Sequence, residues 1–229
     1  RHPAEPLTGP LRLGIIPSIA PYVLPPLLPL IRQACPKLEL TIRETQTQQL
    51  VDELVGGTID ALLVALPIEH REVETRALFD DMFLLAVPRG HRAATRTRAT
   101  PELVTSDRLL LLEEGHCLRE QALAFCHPRN GGQIDTFGAS SLSTIVQMVS
   151  NGMGMTLLPE ISVPLEGKHG EIRLMRFEPP EPRRTVGLAW RSSSPRKRDF
   201  EALGELVLKT IPKRRRLAGR APRTADRRR

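Results

Sequence analysis

The residues with the most distinctive chemistry lie in one short stretch, Gly115-His116-Cys117-Leu118-Arg119-Glu120-Gln121-Ala122-Leu123-Ala124-Phe125-Cys126. A glycine followed by good helix formers predicts a helix that begins near Cys117. In a first helical turn, unpaired N–H groups and the positive end of the dipole favour a thiolate, so this position is expected to lower the Cys117 pKa. His116 and Arg119 are close enough in sequence to add positive charge in the same direction. A buried structural thiol is the competing reading of the same position.

Cys126 follows nine residues later. On a continuous helix that separation is about 13 Å along the axis and half a revolution around it. A disulfide needs Cα atoms within about 7 Å. The two thiols can therefore bond only if the segment unwinds, which makes them a candidate switch rather than a static staple. His116-Cys117 and Cys126-His127 also offer two metal-ligand pairs, but structural zinc sites use shorter spacers, and metal binding is the weaker reading. Cys35 falls on the apolar stripe of an earlier predicted helix, just before Pro36, and reads as a small buried hydrophobe. His2, His70, His91 and His169 lie in polar surroundings and read as surface residues. The acidic pairs Asp80-Asp81 and Glu113-Glu114 are expected to be solvated, and Gly152-Met153-Gly154-Met155 is expected to be a loop. The sequence has no Gly-rich phosphate loop, no G-x-S-x-G and no H-E-x-x-H.

The elements that must position these residues alternate. Leu11 to Ile16 reads as a strand, and Leu24, Leu27, Leu28, Ile31 and Cys35 repeat at helical spacing, with prolines expected near the first turn. Leu38 to Ile42 alternates as a strand, Gln48 to Val55 is helical up to Gly56-Gly57, and Ile59 to Leu66 suits a buried strand. Further strands are expected at Met82–Val87, Arg108–Leu112, Gln133–Phe137, Met155–Leu158 and Arg184–Trp190. Helices are expected after His116, over Leu142–Val149 and through Phe200, Leu203, Leu206, Val207 and Ile211. Two successive blocks of this kind predict a mostly parallel α/β architecture with a cleft between two lobes.

Composition narrows the function. The chain has 229 residues and a formal charge of +7. Pro212 to Arg229 holds nine Lys/Arg and one acid, so the preceding body is close to neutral and the basic tail is expected to be a solvated, disordered extension. With 6 Phe, 1 Tyr and 1 Trp there are too few stacking platforms for a single-strand nucleic-acid sheet. Prolines interrupt the longest apolar run, so no membrane helix is expected. An odd, sparse set of 3 cysteines suits a reducing cytoplasmic compartment. The start, Arg1-His2-Pro3-Ala4-Glu5-Pro6, reads as a linker cut from a longer protein.

With these residues in view, the chain resembles the regulatory domains of the peroxide-sensing LysR-type transcriptional regulators. The segment from Gly115 through Cys126 matches that family's sensing motif in cysteine spacing and in the preceding histidine. Ile16-Pro17-Ser18 with Pro21-Tyr22, Glu44-Thr45-Gln46-Thr47, Gly152 to Pro159 and Glu181-Pro182-Arg183-Arg184-Thr185 follow in the family's order. Ser18 stands where a threonine is usual and Glu120 where an aspartate is usual, and each keeps its functional group. The tail from Pro212 has no counterpart in the resemblance.

The resemblance implies a two-lobed fold like the type 2 periplasmic binding proteins. Residues 11–80 plus 188–211 would form the first lobe, 81–187 the second, 1–10 a linker remnant and 212–229 the basic tail, with the DNA-reading winged helix-turn-helix outside this chain. It implies that hydrogen peroxide oxidises Cys117 to a sulfenic acid and that Cys126 resolves it to a disulfide. Ser18 and Thr47 would hold the peroxide, His116 would adjust the thiolate or the leaving oxygen, and Arg184 would stabilise negative charge. Implied partners are further copies in a homodimer or homotetramer, promoter DNA through the missing domain, RNA polymerase and a dithiol reductant. Neither a cofactor nor a metal is implied, and a stoichiometric sensor is not an enzyme. Two rival classes remain: a LysR-type or periplasmic-type small-molecule binder with incidental cysteines, and a catalytic thiol peroxidase.

Overall fold

In the computed structural model the chain is described over residues 7–105, 108–126, 134–168 and 171–217. The elements are β1 (Gly9–Ile15), α1 (Ala20–Ala34), β2 (Leu38–Glu44), α2 (Thr47–Val55), β3 (Ala61–Leu66), β4 (Val73–Pro88), α3 (Pro101–Thr105) and β5 (Leu109–Leu112). They continue with α4 (Cys117–Cys126), β6 (Ile134–Ala139), α5 (Leu142–Ser150), β7 (Thr156–Pro159), α6 (Val163–Glu166), β8 (Ile172–Arg176), β9 (Arg183–Arg191) and α7 (Lys197–Thr210).

Two hydrophobic cores divide these elements. In the first, Leu11, Leu13 and Ile15 of β1 and Ala61 to Val64 of β3 are buried under the α1 stripe Val23, Leu27 and Ile31. Phe200, Leu203 and Val207 of α7 close it, and the Trp190 and Phe200 rings stack at 5.6 Å. In the second, Leu109 to Leu112 of β5 pack with Ile145, Val146 and Val149 of α5, and Phe125 of α4 meets Phe177 edge to face at 5.0 Å.

Strand β4 joins the two cores. Its first part, Val73–Met82, pairs with β9, and its second, Phe83–Pro88, pairs with β7 and β8. Only that second part was expected from the sequence, because the first part mixes charged and apolar residues. β8 was not anticipated at all. Among the described residues, strands pair in parallel at β1 with β2 and β3 and at β5 with β6, with isolated parallel bridges at Ala99–Phe177 and Leu109–Met155, whereas β9 runs antiparallel to β3 and β4. The sheet is therefore mixed rather than mostly parallel. A chain that crosses between cores on one extended strand and returns on another runs the two in opposite directions.

Three further expectations are corrected. Pro25, Pro26 and Pro29 lie inside α1 rather than near its first turn. All three are exposed, so the carbonyls they leave without partners face water while the opposite stripe packs. Residues 7–10 are not a linker: Leu7 is buried in the first core and Gly9 opens β1. Nor is the tail free from Pro212. A 3-10 turn forms over Lys213–Arg215, Arg216 bridges Phe79, and the Leu217 N–H donates to the Leu78 carbonyl at 3.0 Å. Residues 218–229 of that tail lie outside the described residues.

At the edge of β1, Arg12 grips Asp60 through Nη2 at 2.8 Å and Nε at 3.1 Å. Burial pushes the Asp60 carboxyl up, but the hydrogen bonds and charge of Arg12 together outweigh it and hold the group below the usual carboxylate range. A depressed carboxyl stabilises the fold above its unfolded pKa, near 3.9, and loses that contribution as pH falls through the folded value. The pair is partly solvated, so its contribution is expected to be below about 1 kcal/mol. Urea unfolding should show Asp60→Asn less stable than the parent at pH 7, with the gap closing as pH falls below the ordinary carboxylate range, near 3.9.

Candidate functional site

Three strand-to-helix turns meet at one cleft between the cores. β1 runs into Ile16-Pro17-Ser18 and then α1; β2 runs into Thr45-Gln46 and then α2; β5 runs into Glu113 to His116 and then α4. β1 and β2 are parallel, so their C-terminal ends lie on the same edge, where α/β sheets bind ligands. The cleft is lined by Ile16, Pro17, Ser18, Gln46, Thr47, Gly115, His116 and Cys117. Thr47 is the first residue of α2 and Cys117 the first of α4, so two positive helix ends face the same space.

The space outside protein atoms at the cleft, its open side included, is about 180 Å³. Metabolite pockets usually offer about 300–1,000 Å³. The dimensions suit one or two small polar molecules.

The polar groups around it are unequal. Cys117 is half-buried and, among the described residues, in no disulfide. Ser18 is buried, and its Oγ accepts a hydrogen bond from Arg184 Nη1 at 2.7 Å, which leaves the hydroxyl proton to donate elsewhere. Thr47 Oγ1 is buried with no hydrogen-bond partner among the described residues. Such an orphan costs about 1–3 kcal/mol, and a small polar ligand in the cleft would relieve it. His116 is 6 % exposed, with Nε2 3.6 Å from Glu113 Oε1.

The turn before Cys117 is held from the other core. Gln46 Nε2 donates to the Glu114 carbonyl at 3.3 Å. Gly115 has φ +88, which favours glycine, and a Cβ there would sit 2.3 Å from Gln46 Oε1. The Arg119 N–H donates to the His116 carbonyl at 2.9 Å and its Nη1 to the Leu112 carbonyl at 3.3 Å, which closes the turn from below.

Arg184 does not line the cleft. Its side chain is fully buried behind Ser18, donating to Ser18 Oγ, to the Ser18 carbonyl at 3.0 Å and to Asp81 Oδ2 at 3.0 Å. Asp81, expected to be solvated, is also fully buried and accepts the Ile161 N–H at 3.0 Å. Burial pushes its carboxyl up, and Arg184, the Ile161 N–H and Arg215 pull it back in part. Alternation along a strand separates Asp80 from Asp81, but a strand that was not expected there gives no such signal. Gln46 was missed as a site residue although it adjoins Thr47 in a quoted motif.

Helix α4 spans both cysteines, so an intact α4 keeps their backbones about 13 Å apart. The Cys126 side chain lies outside the described residues. α4 is anchored by buried Leu118 and Ala122 and by the Phe125–Phe177 contact, while Gln121 Oε1 is buried without a hydrogen-bond partner among the described residues. Cys35 is half-buried at the end of α1, against the first core.

The LysR substrate binding domain family matches residues 4–212. The chain is similar to the DNA-binding transcriptional dual regulator OxyR of Escherichia coli K12, with 40% identity over 203 residues, 89% of this chain and 67% of that protein. It is similar to a probable hydrogen peroxide-inducible genes activator of Mycobacterium avium, with 41% identity over 204 residues, 89% of this chain and 66% of that protein. A solved structure of a Cys-to-Ser mutant of Corynebacterium glutamicum OxyR with H2O2 bound superposes with TM-score 0.84 at 35% identity, covering 91% of this chain and 67% of that one. The chain thus spans about two thirds of the length of these relatives.

Replacing Gly115 should show how the turn serves the thiol. Gly115→Ala is expected to lose about 1–2 kcal/mol of stability from the left-handed backbone and to displace the Gln46 amide from Glu114. Thermal melting and the rate of Cys117 alkylation by iodoacetamide, measured together, should both change.

Proposed function

The chain belongs to the LysR substrate-binding family, and from that premise we propose that it is the redox-sensing regulatory domain of a hydrogen-peroxide-responsive transcription factor. The observation that carries this reading is the small cleft in which a helix-terminal thiol and the orphaned Thr47 hydroxyl face each other's space. Peroxide needs little room and offers both donors and acceptors.

In this mechanism the Cys117 thiolate attacks one oxygen of H2O2 and the O–O bond breaks. Sulfur is oxidised to a sulfenic acid, and the departing hydroxide takes a proton and leaves as water. Ser18 and Thr47 hold the peroxide through their hydroxyls, and His116 is placed to guide the leaving oxygen. Arg184 acts through Ser18, orienting its hydroxyl and drawing charge away from it. Cys126 then attacks the Cys117 sulfur as a thiolate, the S–O bond breaks, and a second water leaves as the disulfide forms. The α4 segment must unwind for that bond to close, so the oxidised thiol and the structural change are one event. A dithiol reductant resets the pair.

The lobes of this reading are residues 11–80 with 188–211 and residues 81–187. Remodelling α4 would change how one copy packs on the next in a dimer or tetramer, and so respace the DNA-reading domains that contact the promoter and RNA polymerase. The size of the cleft weighs against the metabolite-binding alternative.

Stoichiometric peroxide followed by non-reducing peptide mass mapping tests the proposal, with Cys35 as the internal control. The expected product is a Cys117–Cys126 disulfide that a dithiol removes, absent in Cys117→Ser. Slow or unselective oxidation sinks the sensor reading, and many turnovers with added reductant would instead make the protein a peroxidase.

Thr47→Val separates stability from function at the same atom. Removing a buried orphan hydroxyl with little change of shape should raise stability by up to about 1 kcal/mol. Peroxide oxidation of Cys117 should slow about ten-fold or more, because one holding group is lost. Urea unfolding and stopped-flow oxidation measure the two effects.

A further inference from the structure

The proposed chemistry leaves a run of buried charge on the far side of Ser18 unused. Asp81 and Arg184 have no side-chain exposure, and Glu160 and Arg215 retain 9% and 12%. Glu160 lies in the 3-10 turn Glu160–Ser162 that follows β7, and its carboxylate is held by Arg215 Nη2 at 2.8 Å and by Arg176. Arg176 is itself bound to Glu181 at 3.0 Å. The next residue, Ile161, donates its N–H to Asp81, and Asp81 holds Arg184.

These contacts form one connected chain. It runs from Arg215 through Glu160, the Ile161 backbone, Asp81 and Arg184 to both oxygens of Ser18 in the cleft. All three guanidinium nitrogens of Arg184 are spent on Asp81 and Ser18, so the direction of the Ser18 hydroxyl depends on where Asp81 sits. The charge of Arg215 also reaches Asp81 and favours its ionised form.

Arg215 belongs to the segment that docks on β4. Its N–H donates to the Pro212 carbonyl at 3.0 Å, and the neighbouring Arg216 and Leu217 are tied to Phe79 and Leu78. Phe79 lies two residues before Asp81 on the same strand, so the docked segment touches the relay at two places. It connects the end of α7 to the turn after β7, whose Ile161 packs in the first core while the strand itself packs in the second.

We propose that residues 212–217 form a strap that tunes the thiol cleft, with Arg215 a positioning residue that acts through Glu160, Asp81 and Arg184 on Ser18. This deepens the sensor reading and rests on it. The strap holds the turn after β7 against β4, which keeps Asp81 and Arg184 aligned and the Ser18 hydroxyl turned toward the cleft. Removing the guanidinium loosens that turn without touching any residue that lines the cleft.

The test uses the full chain with Arg215→Gln, Arg215→Lys and Glu160→Gln. For each protein, the second-order rate of Cys117 oxidation by hydrogen peroxide is compared with the rate of its alkylation by iodoacetamide and with thermal melting. Alkylation needs the thiol but not Ser18, so it reports on access and nucleophilicity alone. Arg215→Gln is expected to slow oxidation about three- to ten-fold while alkylation stays within about two-fold, with Arg215→Lys recovering part of the loss. In a Glu160→Gln background, Arg215→Gln should add little, because both changes break one link.

Equal slowing of both reactions, or an oxidation rate in Arg215→Gln within about two-fold of wild type, overturns the strap. Should Arg215→Gln fail to fold, unchanged oxidation in both Arg215→Lys and Glu160→Gln has the same meaning. Fast oxidation in the wild type and equally in both variants at 215 overturns the strap alone. A wild-type protein slow with peroxide overturns the sensor reading and the strap with it.

Discussion

A guanidinium with no solvent exposure cannot be left short of partners. Taking it out of water costs several kcal/mol, recovered only when an opposite charge and well-made hydrogen bonds surround it. Arg184 meets that demand with Asp81 on one side and the two oxygens of Ser18 on the other. The requirement fixes three parts of the chain at once. Asp81 belongs to the strand that carries the chain between the cores, Arg184 to the strand that returns, and Ser18 to the turn that opens the cleft. A polar interaction at the junction thus registers the two cores.

Around that fixed point the cleft is built from chain ends rather than from a pocket floor. Helix N-termini bring unsatisfied N–H groups and a partial positive charge, and two of them converge where Cys117 and Thr47 stand. The arrangement favours an anion or a thiolate over an apolar ligand. In the proposed switch, α4 has two roles that conflict: its first turn supports the reactive thiol, yet its length keeps the second cysteine away. A helix of 10 residues with few buried anchors is suited to that conflict, since short helices depend on packing more than on propensity. Gly115 adds a backbone joint at its start.

The cores also touch through a second polar group, away from Asp81 and Arg184. Glu166 of α6 is buried and accepts hydrogen bonds from Tyr22 on α1 at 2.9 Å and Ser143 on α5 at 2.7 Å. Burial, then the charge and hydrogen bond of Glu166, push the Tyr22 hydroxyl far above its ordinary range, so it remains a donor at any physiological pH. With Gln46 on Glu114 and Arg215 on Glu160, the two cores are joined by directional contacts at several points. Polar contacts thus help to define their relative placement, beside the apolar packing of Tyr22 against both cores.

Much of this was legible in residue order. Apolar periodicity marked most helices and the buried strands, because a half-buried helix or strand writes its period into the sequence whatever it packs against. The helix start at Cys117 followed from Gly115 and the residues after it, and the spacing to Cys126 set a distance that an intact helix must impose. Other features had no local signature. Asp80 and Asp81 look alike in sequence, and only the pairing of β4 with β9 turns one outward and buries the other against Arg184. Arg215 sits among six other basic residues from 209 to 223, and what singles it out is a carboxylate 55 positions earlier in the chain. The approach of Gln46 to Gly115 depends on how two cores dock. The sequence by itself determined elements and the spacing of the two cysteines, which depend on neighbours a few positions away. Tertiary structure decided which charges are buried and which side chains share the cleft, because those depend on contacts between residues tens to hundreds of positions apart.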